Sequence, residues 1–350
     1  MARVALFAAA VAALVALAAA QSCPSADFTG CYTSTGTFFC CPTPATSCSG
    51  LSTPDCVATG TSNVVAGAGV VPGAPTPMPT ATDTPAPTAG TPAPTAGPIT
   101  DADILNFALN LEYLEGEFYS WAAFGKGLES SLTGGGGPVI GGQKASLSAD
   151  AQAYAEQIAI DEINHVKFLR TALGDAAVPE PAIDIGPAFA VAANAAANAT
   201  LDPPFSPYTD DVTFLLGAFI FEDVGVTAYG GAVPLFSDKN VAGVAARILG
   251  VEAYHAGAVR AELAEFVSVV TGYGVTVGDI GNLIVALRAA LGGGKETPLV
   301  ADGFTQLRAV TEGDSLTYVR TTSEVISIVC AGGNKGLFFP NGLNGKINMM

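Results

Sequence analysis

The stretches Glu162-Ile163-Asn164-His165 and Glu252-Ala253-Tyr254-His255 decide how this chain is read. The sequence holds only two histidines, and each stands three residues after a glutamate. Glutamate fills 14 of 350 positions, so chance would place both histidines this way about once in six hundred sequences. On an α-helix, residues i and i+3 project from one face and can grip a single ion together. Both stretches read as helical, with Tyr154, Ile158, His165 and Leu169 recurring at helical spacing in the first and Val251, His255, Val259 and Leu263 in the second.

Working outward, Thr100-Asp101-Ala102-Asp103 reads as an N-cap with first-turn acids. The helix it starts, about 102–124, carries Phe107, Leu111, Leu114, Phe118 and Trp121 on one stripe, with Glu112, Glu115 and Tyr119 beside it. A glycine-rich loop at 134–142 leads to Leu147-Ser148-Ala149-Asp150, which opens the helix holding Glu162 and His165. A long connection at 172–209 is broken by prolines and contains the glycosylation sequon Asn198-Ala199-Thr200. A third helix, about 210–230, is almost wholly apolar yet carries Glu222-Asp223 in its middle; a fourth, about 238–271, holds Glu252 and His255. Two shorter helices are expected at 276–291 and 323–329, and Cys330 is expected to be buried in its Ile-Val-Cys-Ala setting.

Four helices with one long crossover between the second and third give an all-α fold, the ferritin-like four-helix bundle. The helices also repeat as pairs. Glu112 precedes Tyr119 by seven residues, Glu222 precedes Tyr229 by seven, and each such helix is followed by one bearing Glu-x-x-His. One glutamate from each of two helices and a Glu-x-x-His from each of the others is the ligand pattern known from di-iron and di-manganese carboxylate bundles. The candidate metal ligands are therefore Glu112, Glu162, His165, Glu222, Glu252 and His255, with Glu115, Tyr119 and Tyr229 as additional candidates. Glu112 is preferred to Glu115 because its spacing to Tyr119 matches that of Glu222 to Tyr229. Asp223 is assigned to the surroundings of the site or to solvent. Four carboxylates in an apolar bundle cost several kcal/mol each if unpaired. No Lys or Arg stands at helical spacing to neutralise all four, whereas two divalent cations would. An oxygen-rich set with two imidazoles suits iron first and manganese next, with zinc as an alternative.

The rest of the chain bounds the setting. Residues 1–20, one arginine followed by an apolar run ending Ala18-Ala19-Ala20, read as a secretory signal peptide, so the protein is expected outside the cell or in its wall. The module at 21–57 holds Cys23, Cys31, Cys40, Cys41, Cys48 and Cys56, an even set that implies a disulfide framework of open connectivity. Its role is either a stapled cap or a small module binding cell-wall carbohydrate. A Pro/Thr/Ala-rich linker at 58–99 cannot bury a core and reads as an extended spacer. The main domain occupies 100–350. The net charge of -17 would repel nucleic acid and anionic membrane, so neither is an expected partner. No apolar run after the leader is expected to span a bilayer.

Several stretches resemble the desiccation-related, ferritin-like proteins of plants and algae. They are Leu109-Asn-Leu-Glu-Tyr-Leu-Glu-Gly-Glu-Phe118, the loop Gly134-Gly-Gly-Gly-Pro-Val-Ile-Gly141, Leu201-Asp-Pro-Pro-Phe-Ser-Pro-Tyr208, Gly250-Val-Glu252, Asp314-Ser-Leu-Thr-Tyr-Val-Arg-Thr321 and Asn344-Gly-Lys-Ile347. The resemblance spans roughly 100–350 and excludes the cysteine module and linker. It implies a ferritin-like fold and an association with drying stress. Two functions are then open. One is a dinuclear-metal oxidoreductase that meets O2 or peroxide and oxidises Fe2+ or disposes of peroxide. The other is a non-catalytic structural or wall-associated stress protein in which any metal only holds the bundle together.

Overall fold

The structure is a computed structural model that describes residues 97–301 and 315–350, the backbone of Phe304–Thr305, and the backbone of five short strands nearer the N-terminus. The chain divides into two units, Met1–Ala96 and Gly97–Met350. In the first, β1 (Phe28–Tyr32) pairs antiparallel with β2 (Phe38–Pro42), β3 (Ala45–Ser49) with β4 (Asp55–Ala58), and β4 with β5 (Val64–Val65). The leader at 1–20, the side chains of all six module cysteines and nearly all of the linker lie outside the described residues.

The second unit is built on four long helices. α1 (Asp101–Phe124) starts in a capping box, in which Thr100 accepts from the Asp103 N–H and Asp103 accepts from the Thr100 N–H. After the short α2 (Ser130–Thr133) and β6 (Val139–Ile140) comes α3 (Ala149–Leu173), where Ser148 caps the N–H of Ala151. The crossover contains β7 (Ile183–Asp184) and α4 (Pro187–Ala197). α5 (Asp211–Ala232) opens on a second capping box between Asp210 and Thr213, and α6 (Lys239–Phe266) is capped by Asp238. α7 (Val277–Leu291), β8 (Val300–Ala301), β9 (Phe304–Thr305) and α8 (Thr322–Val329) follow.

α1 lies along α3 and α5 along α6, which makes the two helix pairs expected from the repeat. α1 and α5 are the central helices, buried over most of their length. Around them Phe118, Phe189, Phe214, Phe221 and Phe338 form one aromatic cluster, with Phe118 and Phe214 stacked at 5.8 Å. The glycine loop closes over this core because β6 pairs with β7 of the crossover. A Cβ at Gly141 would stand 2.4 Å from the Gly186 Cα, so that approach requires glycine.

Four expectations differ from what is observed. The crossover contains a helix, because Pro187 occupies the first turn, where its missing N–H costs nothing. α6 stops at Phe266 rather than near 271, since Val267, Val269, Val270 and Thr271 are β-branched and Val270 bridges to Thr276. Tyr154, placed on the inward stripe of α3, is 40% exposed, and Ala151, Ala155 and Ile158 face inward instead. Finally, the stretch Asp211–Leu235 is long and apolar enough to cross a membrane, but 83% of its apolar window is buried in this fold. Cys330 is buried as expected, and Asn198 is exposed at the left-handed C-cap of α4.

Candidate metal centre

Each bundle helix delivers its acids and imidazoles to one place. Glu112 and Glu115 come from α1, Glu162 and His165 from α3, Glu222 from α5, and Glu252 and His255 from α6. Their ligand atoms form three overlapping groups, each with all its atoms within 4.8 Å of one another: Glu112, Glu162, His165 and Glu252; Glu162, Glu222 and His255; and Glu115, Glu222 and Glu252. The five glutamates and both histidines are buried.

The geometry divides the cluster into two halves joined by Glu162. His165 Nδ1 stands 3.1 Å from Glu112 Oε2, 3.1 Å from Glu162 Oε2 and 3.5 Å from Glu252 Oε1. His255 Nδ1 stands 3.0 Å from Glu162 Oε1 and 3.6 Å from Glu222 Oε2. Glu162 thus turns one oxygen to each histidine. The tyrosines cross between halves: Tyr119 on α1 donates to Glu222 Oε1, and Tyr229 on α5 donates to Glu112 Oε1. Each holds one oxygen of its glutamate and leaves the other turned towards a histidine.

Glu112 and Glu115 both belong to the cluster. The repeat does not show this, because the position matching Glu115, three residues after Glu222, is Gly225. A Cβ on Gly225 would meet Glu252 Oε2 at 2.2 Å and come within 3.5 Å of Glu115 Oε1. The glycine leaves room for the Glu252 carboxylate, beside which Glu115 sits at ordinary contact distance.

Burial raises Glu112 to about 7 and Glu222 to about 8, against the pull of His165 and His255 respectively. Glu115 and Glu252 are raised well above the usual carboxylate range by burial and then by the neighbouring glutamates. Burial would also raise Glu162, but the two histidines close against its oxygens hold it below that range. For His165 burial favours the neutral ring, yet the Glu112 and Glu162 carboxylates push it up to about 11; Glu222 and Glu162 likewise lift His255 to about 9. Burial first, and then the carboxylates, keep Tyr119 and Tyr229 as neutral phenols that donate. Two imidazoles cannot balance five carboxylates, and the ion pairs these glutamates make among the described residues are all with the two histidines.

This donor set fits metal ions. Glu222 Oε2 and both Glu252 oxygens are buried without a hydrogen-bond partner, and Glu162 Oε1 and His255 Nδ1, although 3.0 Å apart, are not aligned as a hydrogen bond, an arrangement native proteins rarely tolerate unless something else satisfies the atoms. Glu115 and Gly225 also wall a cavity of about 20 Å³ between α1 and α5, otherwise lined by apolar side chains that include Leu111, Val224 and Ile328.

Arginine is used elsewhere. Asp223, assigned to the site's surroundings or to solvent, is fully buried, so the solvent reading is wrong. Arg260 grips it at 2.7 and 3.1 Å and Arg288 at 2.7 Å. Arg288 and Arg320 each reach Glu296 at 2.7 Å, and Arg260 and Arg288 both lie over the Phe219 ring. Arg260 stands eight residues after Glu252, a spacing that could have flagged it as sharing the inward face of α6. Asp161, Glu117 and Glu180 were also missed, because the contacts that define them join distant parts of the chain.

The model for the ferritin-like domain matches residues 100–265. The desiccation-related protein PCC13-62 of Craterostigma plantagineum is 39% identical over 212 residues, which are 59% of this chain and 67% of that protein. The ferritin-like catalase Nec2 of Nesocodon mauritianus is 33% identical over 264 residues, 71% of this chain and 84% of that protein. The chain belongs to the ferritin-like, desiccation-related protein family. No solved structure matches it. The family match covers all four bundle helices of this ferritin-like protein and every member of the cluster, while α7, α8 and the C-terminal coil lie beyond the matched domain.

Proposed function

We propose that this ferritin-like protein holds two divalent metal ions, iron or manganese, and disposes of hydrogen peroxide at them. The observation that carries the reading is the buried group of five carboxylates that have only two imidazoles, and no Lys or Arg among the ion pairs of the described residues, to balance them. Glu112, Glu162, His165 and Glu252 would hold one ion, Glu162, Glu222 and His255 the other, with Glu115 beside Glu222 and Glu252. The similarity to a relative named a ferritin-like catalase supports peroxide as substrate.

The reaction is self-contained: of two peroxide molecules one is oxidised to O2 and the other reduced to water, so two H2O2 give O2 and two H2O without an outside reductant. Bound metal would supply the electron exchange with peroxide oxygen. The chain's own groups do the rest. Glu162 spans the two halves, and Tyr119 and Tyr229 fix Glu222 and Glu112 by one oxygen each. The cavity at Glu115, about 20 Å³, is large enough for a water-sized molecule and its apolar walls disfavour ions. The leader at 1–20 and the exposed Asn198 support a secreted, glycosylated protein.

A second reading is a stress protein whose metal only ties the helices together, supported by the relative named desiccation-related and by the way each group joins residues of several helices. Oxygen evolution from peroxide by protein loaded with Mn2+ or Fe2+ separates the two. One O2 for every two peroxides consumed is expected. Loaded protein that evolves none would leave the structural reading.

A further inference from the structure

The two halves of the cluster repeat one another except behind the histidines. Both rings present Nδ1 to the carboxylates. Behind His255, Nε2 stands 3.2 Å from Asp161 Oδ2, a contact that crosses from α6 to α3. Behind His165, no partner for Nε2 is found among the described residues. The sequence explains the difference: Asp161 immediately precedes Glu162, and the matching position before Glu252 is Val251, which has no acceptor.

The halves also differ in carboxylate count. The His165 group contains Glu112, Glu162 and Glu252, whereas the His255 group contains only Glu162 and Glu222. An imidazole that donates from its rear nitrogen to a carboxylate is held in one orientation and one tautomer, and its front nitrogen becomes a stronger donor to a metal. Asp161 therefore strengthens the ligand of the half that has fewer charges. An ordinary surface ion pair would contribute little. Here the Asp161 side chain is 39% exposed, but the ring it meets is 7% exposed and points into the cluster.

Resting on the metal-centre reading above, we infer that Asp161 is a positioning residue for His255 alone and makes the two metal positions unequal in affinity. The test is a titration of chelator-stripped, full-length protein with Mn2+, following heat and the loss of the free-ion paramagnetic signal. Wild type takes up two ions per chain in two resolvable steps. Asp161→Ala weakens one step about 10–100-fold, the usual cost of losing such a partner, and leaves the other unchanged. Asp161→Asn, which keeps an acceptor oxygen without the charge, recovers part of the loss and serves if the alanine variant does not fold. Glu156→Gln removes an exposed acid from the same helix and leaves both steps as in wild type. Equal weakening of both steps by Asp161→Ala, or a loss reproduced by Glu156→Gln, would reduce Asp161 to one more surface charge and overturn the inference. Two wild-type steps left untouched by Asp161→Ala would overturn it as well. Wild-type protein that binds no Mn2+ would remove the metal centre itself, a failure distinct from unequal steps that do not depend on Asp161.

Discussion

Glu222 and Asp223 are neighbours on α5, both buried, and the protein treats them in opposite ways. Asp223 is met by two arginines and continues through Glu296 to Arg320, so every charge in that network has a protein partner. Glu222 joins four other glutamates that share only two histidines. Elsewhere Glu117 and Glu180 meet the same difficulty in a third way. Glu117 and Glu180 each bury an oxygen with no hydrogen-bond partner, and burial first, then Glu117, pushes Glu180 up to about 9, so the neutral acid is favoured. Where the chain supplies arginine the acids are architecture, and where burial keeps a proton on an acid its charge is removed. Where neither suffices, the missing charge points to an ion from outside.

The contrast can be broken most severely at Asp223. Asp223→Ala would leave Arg260 and Arg288 buried without their shared carboxylate, a change expected to cost about 3–5 kcal/mol. Urea unfolding of metal-free protein would show it as a fall in midpoint, and no added Mn2+ or Fe2+ would restore it. A loss below about 1 kcal/mol would mean that the network is slack.

Glu252→Gln should act with the opposite sign. Without metal the raised Glu252 is favoured with its proton on. At neutral pH the wild type folds at the expense of keeping that proton from water, whereas glutamine needs none. The variant is therefore expected to be more stable than wild type when metal-free, and to lose the gain in melting temperature that wild type shows on adding metal. Thermal scans with and without Mn2+ read both effects, and destabilisation of the metal-free variant would contradict the comparison.

The smallest effect is at Glu180. Its carboxyl keeps a proton to about pH 9 in the fold, against an ordinary value of 4.5. Folding therefore takes up a proton between those limits, and this group's contribution to stability falls as pH rises through the window. Glu180→Gln mimics the protonated acid. It should remove that slope and exceed wild type by a margin that widens as pH rises above the ordinary value, checked by melting temperature against pH. An unchanged slope would show that Glu180 does not keep that proton.

The fold and the six residues that gather in the cluster could be read from sequence because the signals were local. Two histidines, two glutamates three residues before them and a seven-residue spacing to two tyrosines all lie within single helices. What escaped depends on contacts across the chain. Asp161 meets His255 over 94 residues, and Asp223 meets Arg288 over 65. No helical period reports such a pairing. Glu115 escaped full assignment because the repeat places glycine at its counterpart, and the room that Gly225 leaves is visible only once α1, α5 and α6 are packed together. The helix in the crossover was hidden by prolines, one of which starts it.

The central claim is that a cluster short of positive charge is completed by metal. Elemental analysis of the purified full-length protein after exposure to Fe2+ and Mn2+, beside a Glu162→Ala, His255→Ala double variant, tests it most directly. About two ions per chain are expected in wild type, and their loss in the variant, since Glu162 serves both halves and His255 one of them. Wild-type protein that emerges free of metal, or a variant that retains both ions, would contradict it.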